Sequence, residues 1–428
     1  MNRILAIAGL TLRSAVRSKV FALLVVLVMG GIIGLPLIMK SDGTLVGQVQ
    51  LFLQYTLGLT VALLAIMAVW TGAGAVSLEV EGRQIQIMVV KPVNALEIWL
   101  GKWLGLMVIN LALLMLAGAL IYGLLWWTTR PALLSAADQA RLREEILVAR
   151  SDVLPERGIN LPTDKRIGQP LAPGETGTWQ FNLPARVPAS GSVFLQFRFV
   201  TSHPGRQAPV AGLWLIEAED GAGARRVPVS GVANQVYSFK LPVPSGSRRL
   251  NVSYRNVEER EPVTILFDAA DSVKLKVHES SFEANYLRAM LMTLARLSFF
   301  SALGLTAGVV FSFPVAVFVS LALLLVSIVN RWIQQVVAVG VSGDLDESSV
   351  GWIVILVDRI VQGMVLALNA IMPPLYRFNP LEFLPGGMLI SWALVGKAWL
   401  VLVGGYAGIL ALVGAWLFSR RELGLPAD

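Results

Sequence analysis

Cysteine is absent from this chain of 428 residues, and histidine occurs only twice, as His203 and His278. The lack of cysteine excludes disulfide bonds, thiolate metal sites and cysteine nucleophiles. Two histidines far apart in the sequence predict no metal site, and no serine nucleophile elbow is visible. The sequence therefore predicts neither a metal centre nor the catalytic residues of a hydrolase.

Charge is also scarce. Charged residues make up 15% of the chain and hydrophobic residues 55%, whereas a soluble domain carries about 25% charged residues. This composition indicates a membrane protein. The net charge of +7 comes from scattered Lys and Arg. Because they form no basic stripe with interleaved aromatics, nucleic acid is not a predicted partner.

A nucleotide-binding loop is missing as well. Gly101-Lys102-Trp103 and Gly396-Lys397-Ala398 both lack the Gly-x-x-x-x-Gly-Lys-Ser/Thr pattern that holds phosphate. The chain is therefore predicted to bind no cofactor and not to be an enzyme by itself. If ATP drives it, ATP and Mg must bind to a separate subunit.

Six apolar runs in the outer thirds of the chain predict transmembrane helices, because a helix needs about 20 apolar residues to cross a bilayer. The runs are 20–39, 49–76, 104–127, 285–311, 315–329 and 399–418. Residues 332–385 are predicted to be re-entrant or interfacial helices on the outer side.

Basic residues set the predicted orientation. Residues 1–19 have the spacing of an amphipathic interfacial helix, with the charges Arg3, Arg13, Arg17 and Lys19. The chain also ends in a basic segment, at residues 419–422. Both termini are therefore predicted to be cytoplasmic, which requires an even number of crossings.

The middle of the chain, 128–284, is polar and reads as an extracytoplasmic insert between membrane blocks 20–127 and 285–428. Ser135 is predicted to cap a helix over 136–150, and a Pro/Gly-rich linker follows at 154–177. Short alternating runs then predict a β-sandwich or jelly roll over 174–278. The predicted strands are 178–183, 192–201, 211–218, 226–229, 235–241, 249–255, 263–267 and 272–277.

Glycine pairs at a spacing of four occur in the apolar runs. Such pairs favour close helix packing in a homodimer, although glycine-rich spans also produce them by chance. The pairs are Gly101/Gly105, Gly304/Gly308 and Gly404/Gly408.

A polar island, residues 77–103, separates the second and third apolar runs. Its distinctive residues are Glu79, Glu81, Arg83, Gln84, Lys91-Pro92-Val93, Glu97, Ile98 and Gly101-Lys102. In order and spacing they resemble the inner loop of ABC-2 type transporter permeases, the membrane subunits of type V ABC exporters. The basic N-terminal helix, residues 372–380 and the ending at 418–423 agree with this resemblance. The other interpretation of the island is a charged inner loop that only sets topology.

The resemblance implies a permease subunit in a bacterial inner membrane. Its partners would be two copies of an ABC ATPase carrying ATP and Mg, a second permease copy or paralogue, and membrane lipids. Coupling to the ATPase would fall to Glu79, Glu81, Arg83, Gln84, Lys91, Pro92, Glu97 and Lys102. ATP hydrolysis would then export a lipid-like or polymeric substrate, or move the extracytoplasmic domain against a protein or glycan partner.

Two further groups of residues are candidates for substrate binding. Arg288 and Arg296, on one helical face, could attract an anionic substrate, or could instead reach lipid headgroups. In the insert, Trp179, Trp214, Tyr237 and Tyr254 could stack on sugar rings, or could form the core. The alternative function is therefore a membrane-anchored glycan-binding or scaffold protein without transport activity.

Overall fold

The protein's architecture is taken from a computed structural model, which describes most of the chain. The described residues are 2–38, 44–82, 94–130, 135–159, 170–184, 192–203, 208–218, 225–242, 249–258, 262–267, 272–339 and 372–420, with isolated positions at 356, 359, 360 and 363. The chain divides into two compact units. The helical unit comprises Met1–Ile146, Glu283–Gly386 and Ile390–Asp428, and the β unit comprises Leu147–Phe282 and Gly387–Leu389.

The helices follow the apolar runs of the sequence. They are α1 (Asn2–Val16), α2 (Lys19–Ile38), α3 (Leu45–Glu81), α4 (Ala95–Thr128), α5 (Ala136–Glu145), α6 (Phe282–Val310), α7 (Phe313–Val339), α8 (Trp392–Ala398) and α9 (Gly408–Arg420), and a π-helical segment, Trp399–Ala407, joins the last two. At about 1.5 Å per residue, the 37 residues of α3 are longer than a bilayer core of about 30 Å requires.

Five of the described stretches are long and apolar enough to cross a membrane. They are Lys19–Pro36, Leu45–Glu81, Ala95–Thr128, Phe282–Val310 and Trp392–Arg420. Within α7, the apolar stretch Phe313–Ser327 is shorter than these. The architecture agrees with a membrane protein that carries an inserted β domain, and the count of six spans stays a prediction.

Backbones approach closely where α3 meets α6. A Cβ atom added at Gly304 would lie 2.5 Å from the carbonyl oxygen of Val69, and one at Gly308 would overlap the carbonyl oxygen of Ala73. Any side chain larger than hydrogen would therefore push these helices apart.

The interfacial helix α1 packs on α4 in a similar way. A Cβ atom at Gly105 would lie 2.6 Å from the carbonyl oxygen of Ala8, and one at Gly101 would lie 2.7 Å from the Cβ atom of Ile7. The first two glycine pairs thus serve contacts inside the chain, so these contact faces are not free for the homodimer packing considered above.

Between α4 and α6, polar side chains meet at the depth of the apolar runs. Asn110 Nδ2 donates to Ser301 Oγ over 2.7 Å, and both residues are buried. Trp99 Nε1 donates to Thr306 Oγ1 over 3.3 Å, and that hydroxyl donates to the carbonyl oxygen of Leu410 over 3.2 Å. These bonds tie α4 and α6 to each other and to α9.

The Asn110–Ser301 bond is expected to stabilise the helical unit by about 1 kcal/mol, the range of hydrogen bonds between membrane helices. The measurement is a double-mutant cycle with Asn110→Leu, Ser301→Ala and the double variant, each unfolded in detergent. Additive losses, with no coupling between the two positions, would contradict this prediction.

Residues 332–385 were expected to form re-entrant or interfacial helices. Residues 332–339 instead continue α7, and 372–385 belong to the next continuous stretch that the structure describes. The structure forms single 3-10 turns there, Leu375–Phe378 and Pro380–Glu382. Proline residues at 373, 374, 380 and 385 explain the difference, because proline cannot donate to an α-helical ladder. The predicted α-helical conformation is wrong for 375–385, and residues 340–355 and 364–371 lie outside the described part.

The β unit is built of short antiparallel strands. They are β1 (Val148–Val153), β2 (Arg157–Ile159), β3 (Pro170–Leu171), β4 (Thr176–Asn182), β5 (Ser192–Phe197), β6 (Val200–Thr201), β7 (Val210–Ala218), β8 (Arg225–Gly231), β9 (Tyr237–Pro242), β10 (Arg249–Asn256), β11 (Ile265–Leu266) and β12 (Val273–Ser281). In the described residues they form sheets in the orders β1-β12-β5-β9, β2-β4-β10-β7-β8 and β3-β11-β6.

One hydrophobic core is shared by the four-stranded and five-stranded sheets. Alternate residues of β5 and β12 face alternate residues of β4, β7 and β10 in it. Across the core, the ring centroids of Phe197 and Trp214 lie 4.9 Å apart. The prediction of a β domain inserted in a helical protein is confirmed.

Two details of the insert differ from expectation. The helix predicted over 136–150 ends at Glu145, and Val148–Val153 is a strand, because that strand pairs with β12. The insert was predicted to begin at 128, but the β unit begins at Leu147, since α5 packs on α3.

Candidate coupling site

The polar island that the sequence singles out joins the end of α3 to the start of α4. Glu79 and Glu81 lie in the last turn of α3, and Glu97 and Lys102 lie in the first turns of α4. The other predicted coupling residues lie outside the described part of the chain: Arg83, Gln84, Lys91 and Pro92. The coupling site is therefore described from its two helical ends.

Lys102 and Glu79 form a buried ion pair between these helices. The Lys102 Nζ atom lies 2.6 Å from Glu79 Oε2, and the exposed fractions of the two side chains are 1% and 21%. The same ammonium donates to the carbonyl oxygen of Ala75 over 2.7 Å. Ala75 and Glu79 are one helical turn apart, so one face of α3 provides both acceptors. The pair fastens α4 to α3 beside the loop.

Glu81 links the end of α3 to a third helix. Its Oε1 atom accepts a hydrogen bond from the backbone N–H of Phe313 over 3.1 Å, at the first residue of α7. A carboxylate is favourable there because a helix N-terminus has unpaired N–H groups and a partial positive charge. The Phe313 ring also packs edge-on against Trp70, with centroids 5.0 Å apart. Glu81 and the Trp70–Phe313 contact therefore connect α3 to the start of α7.

Glu97 serves its own helix. Its Oε2 atom accepts a hydrogen bond from the backbone N–H of Asn94 over 3.1 Å, as in a capping box. This contact fixes the point at which the chain leaves the loop and enters α4.

A cavity of about 80 Å³ lies next to the ion pair, which leaves room for several water molecules. Its walls come from α1, α3 and α4, and its polar lining is Thr11, Ser14, Ser18, Thr71 and Glu79. Sequence reasoning missed the three hydroxyl residues near the N-terminus. Their spacing of three and four positions would have placed them on one helical face, and this was the available signal.

The helix predicted over residues 1–19 is present as α1, which ends at Val16, so Arg17 and Lys19 lie beyond it. Arg3, Arg13, Arg17 and Lys19 are all exposed. Leu5, Leu10 and Val16 are also exposed, by 53% to 60%. A helix with apolar and basic side chains outside its packed face suits a position at a lipid interface.

Arg288 and Arg296, the candidate substrate residues, both bind the segment that follows residue 372. Arg288 Nη1 donates to the carbonyl oxygen of Ile390 over 3.2 Å, and its guanidinium lies 5.2 Å from the Trp392 ring. Arg296 is buried and donates to Asn379 Oδ1 over 3.2 Å. Both arginines thus hold the chain's own backbone and side chains in this structure.

The aromatic residues considered for sugar stacking lie in the core of the β unit. Trp179, Trp214 and Tyr254 are exposed by 8% or less, and Tyr237 packs against the same cluster. The Trp214 and Tyr254 rings meet edge to face at 4.9 Å. Burial, together with Glu258, raises the pKa of Tyr254. A sugar has no ring face to stack on at the three buried positions, so the structure contradicts that role for them.

Comparison with known proteins identifies no family. No protein-family model matches the chain, and no curated protein matches it. Among solved structures, dimeric latent PorU from Porphyromonas gingivalis is similar over 32% of this chain and 13% of that chain, with 15% sequence identity and a TM-score of 0.21. The resemblance to ABC-2 permeases therefore rests on the motifs in the sequence and stays a prediction.

Proposed function

We propose that this protein is the membrane subunit of an ATP-driven ABC exporter. In this proposal it lies in a bacterial inner membrane with six spans, both termini in the cytoplasm and the β unit outside as a sandwich. Two copies of an ATPase subunit, which carry ATP and Mg, bind on the inner side. A second permease copy or paralogue completes the complex.

The observation that carries the proposal is the way in which the helices next to the inner loop are joined. The Lys102–Glu79 pair fastens α4 to α3, and Glu81 fastens α3 to α7. The elbow helix α1 packs on the same end of α4 through Gly101 and Gly105. A push on the loop would therefore tilt several spans together, as an ATPase-driven permease requires.

In this proposal Lys102 has a structural role and does not bind nucleotide. A lysine that binds nucleotide must present its ammonium to phosphate, whereas this side chain is 1% exposed and bound to Glu79. The proposal assigns ATP hydrolysis to the partner subunit and transmission of its motion to this chain.

Tryptophan–arginine pairs support the proposed membrane boundaries. At the end of α4, the Arg130 guanidinium lies 4.4 Å and 4.0 Å from the rings of Trp126 and Trp127. At the end of α9, the Arg420 guanidinium lies 4.3 Å from the Trp416 ring. Aromatic and basic side chains concentrate at the two membrane interfaces, so these pairs suit the ends of spans.

The transported material is proposed to be lipid-like or polymeric. Arg288 and Arg296 hold the segment after residue 372, so in this proposal they meet an anionic substrate only after that segment moves. Export and movement of the β unit against an outside partner are both compatible with this arrangement. No observation favours the glycan-binding alternative.

Co-purification tests the proposal. We expect the full chain, solubilised in a mild detergent, to bring down a polypeptide with a phosphate-binding loop, and the complex to hydrolyse ATP faster than that polypeptide alone. Arg83→Ala and Glu81→Gln should lower this stimulation severalfold, because both change the proposed contact surface or its link to α7. The control is Glu156→Gln, an exposed carboxylate in the β unit.

Two results would overturn the proposal. One is the absence of any ATPase subunit under mild conditions that preserve the fold. The other is an ATPase whose stimulation is unchanged in both loop variants, since a loop that only sets topology predicts that outcome.

A further inference from the structure

The four-stranded sheet of the β unit has an outer face as well as a core face. Along β12, Val273, Leu275 and Val277 are buried in the core. Because side chains alternate along a strand, Lys274 and Lys276 lie on the opposite face. The register continues this face across the sheet, since Lys276 is paired with Asp152 of β1 and Phe194 of β5.

Cationic groups gather on this outer face. Lys274 Nζ lies 2.7 Å from Asp152 Oδ2, so one oxygen of the carboxylate in the centre of the group is engaged, and Oδ1 has no hydrogen-bond partner among the described residues. The Arg150 guanidinium lies 5.5 Å from the Phe194 ring, on the other side of Asp152 along β1. Lys276 therefore lies among two other cations and one carboxylate.

Lys276 forms no direct ion pair within the described residues, although Asp152 lies opposite it across the strands and favours its charge. It is half-buried, and within the described part of the chain no hydrogen bond or ion pair satisfies its ammonium. Burial lowers the pKa of Lys276, with further lowering by Arg150 and Lys274 and an opposing effect from Asp152. An ammonium in such surroundings attracts an anion.

Glu279 and His278, the titratable neighbours along β12, do not supply an anion to Lys276. Glu279 Oε1 accepts a hydrogen bond from Ser151 Oγ over 2.6 Å, and Ser151 alternates to the opposite side of β1 from Arg150 and Asp152. His278 is exposed and lies across from Arg150.

We propose that the outer face of this sheet is a phosphate-binding site centred on Lys276. Lys276 and Lys274 supply ammonium donors, Arg150 adds positive charge, and Gln196 of β5 lies on the same face as an amide donor. Phosphate is the fitting ligand because it offers several acceptor oxygens and carries more than one negative charge as a monoester. The phosphate could belong to a soluble ester or to a lipid headgroup. This inference does not depend on the proposed transport function.

Isothermal titration calorimetry of the full chain in detergent tests the site. The probes are inorganic phosphate and a short-chain phosphatidic acid, each at an ionic strength of about 0.15 M so that weak surface attraction is screened. We expect saturable binding to the wild type. In Lys276→Gln, binding should weaken by about tenfold or more, since a charge-assisted hydrogen bond is lost. Tighter binding of phosphatidic acid would identify a lipid source, and equal binding a soluble ester.

Matched variants distinguish binding at this site from general charge attraction. Arg255→Gln removes an exposed cation from the five-stranded sheet and should leave binding unchanged, whereas Lys276→Arg should retain it. The thermal unfolding midpoint of Lys276→Gln should not fall, because the change removes a cation that lies among cations. Absence of saturable binding in the wild type would overturn the proposal. Equal weakening in Lys276→Gln and Arg255→Gln would also overturn it, because that is general charge attraction.

Discussion

Replacing Glu79 by glutamine is expected to lower the free energy of unfolding by about 3–5 kcal/mol, the cost of leaving one member of a buried ion pair without its partner. The Lys102 side chain is 1% exposed, and after the change its charge would have only neutral acceptors, the carbonyl oxygen of Ala75 and the new amide oxygen at position 79. The measurement is thermal unfolding of the solubilised full chain, followed by tryptophan fluorescence. Chemical unfolding of the same samples would give the free energy.

The two single substitutions should differ in how much they lower the free energy of unfolding. Lys102→Met should cost less than Glu79→Gln, because Glu79 is 21% exposed and lines a cavity in which water can solvate it. The double variant Glu79→Leu with Lys102→Met should recover most of the loss, since an apolar pair of similar volume often replaces a buried ion pair at little cost. Glu156→Gln is the control. If Glu79→Gln unfolds at the same temperature as this control, the pair does not hold α3 to α4.

Replacing Gly304 by valine is expected to destabilise the helical unit by about 3 kcal/mol or more, through overpacking. The first added carbon would lie 2.5 Å from the carbonyl oxygen of Val69. A backbone atom of a long helix cannot turn aside as a flexible side chain can, so α3 and α6 would have to separate. Size-exclusion chromatography and thermal unfolding in detergent would measure the loss of folded protein.

Gly123 provides the matched control for this change. It lies in α4, and no atom stands within 4 Å of the position that its Cβ would occupy. Gly123→Val should therefore leave the unfolding midpoint near that of the wild type. Equal stability of the two variants would show that the α3–α6 contact is looser than the structure indicates.

Local patterns in the sequence were enough to locate the elements. The apolar runs 49–76 and 104–127 lie inside α3 and α4, and the alternating run 249–255 lies inside β10. These patterns are visible because a helix or strand repeats its buried positions over a few residues. The predicted secondary structure was wrong where a neighbouring element decides the conformation. Val148–Val153, for example, is a strand because it pairs with β12.

The coupling residues show where such reasoning stops. Glu79, Glu81 and Lys102 stand out in the sequence as charges between apolar runs, and they were assigned to a partner's surface. The structure pairs Glu79 with Lys102 and Glu81 with Phe313. Charge type and spacing reveal that a residue is unusual, but its partner depends on which helices pack together.

The sequence by itself therefore determined that this is a membrane protein with an interrupted helical block, an inserted β domain and a charged loop between its second and third apolar runs. Composition and periodicity record those properties over short stretches. Only the tertiary structure decided that Lys102 is buried in an ion pair, that Trp214 and Tyr254 are core residues, and that Lys276 lies among cations. Each of these depends on atoms brought together from distant parts of the chain, and no local pattern carries that information.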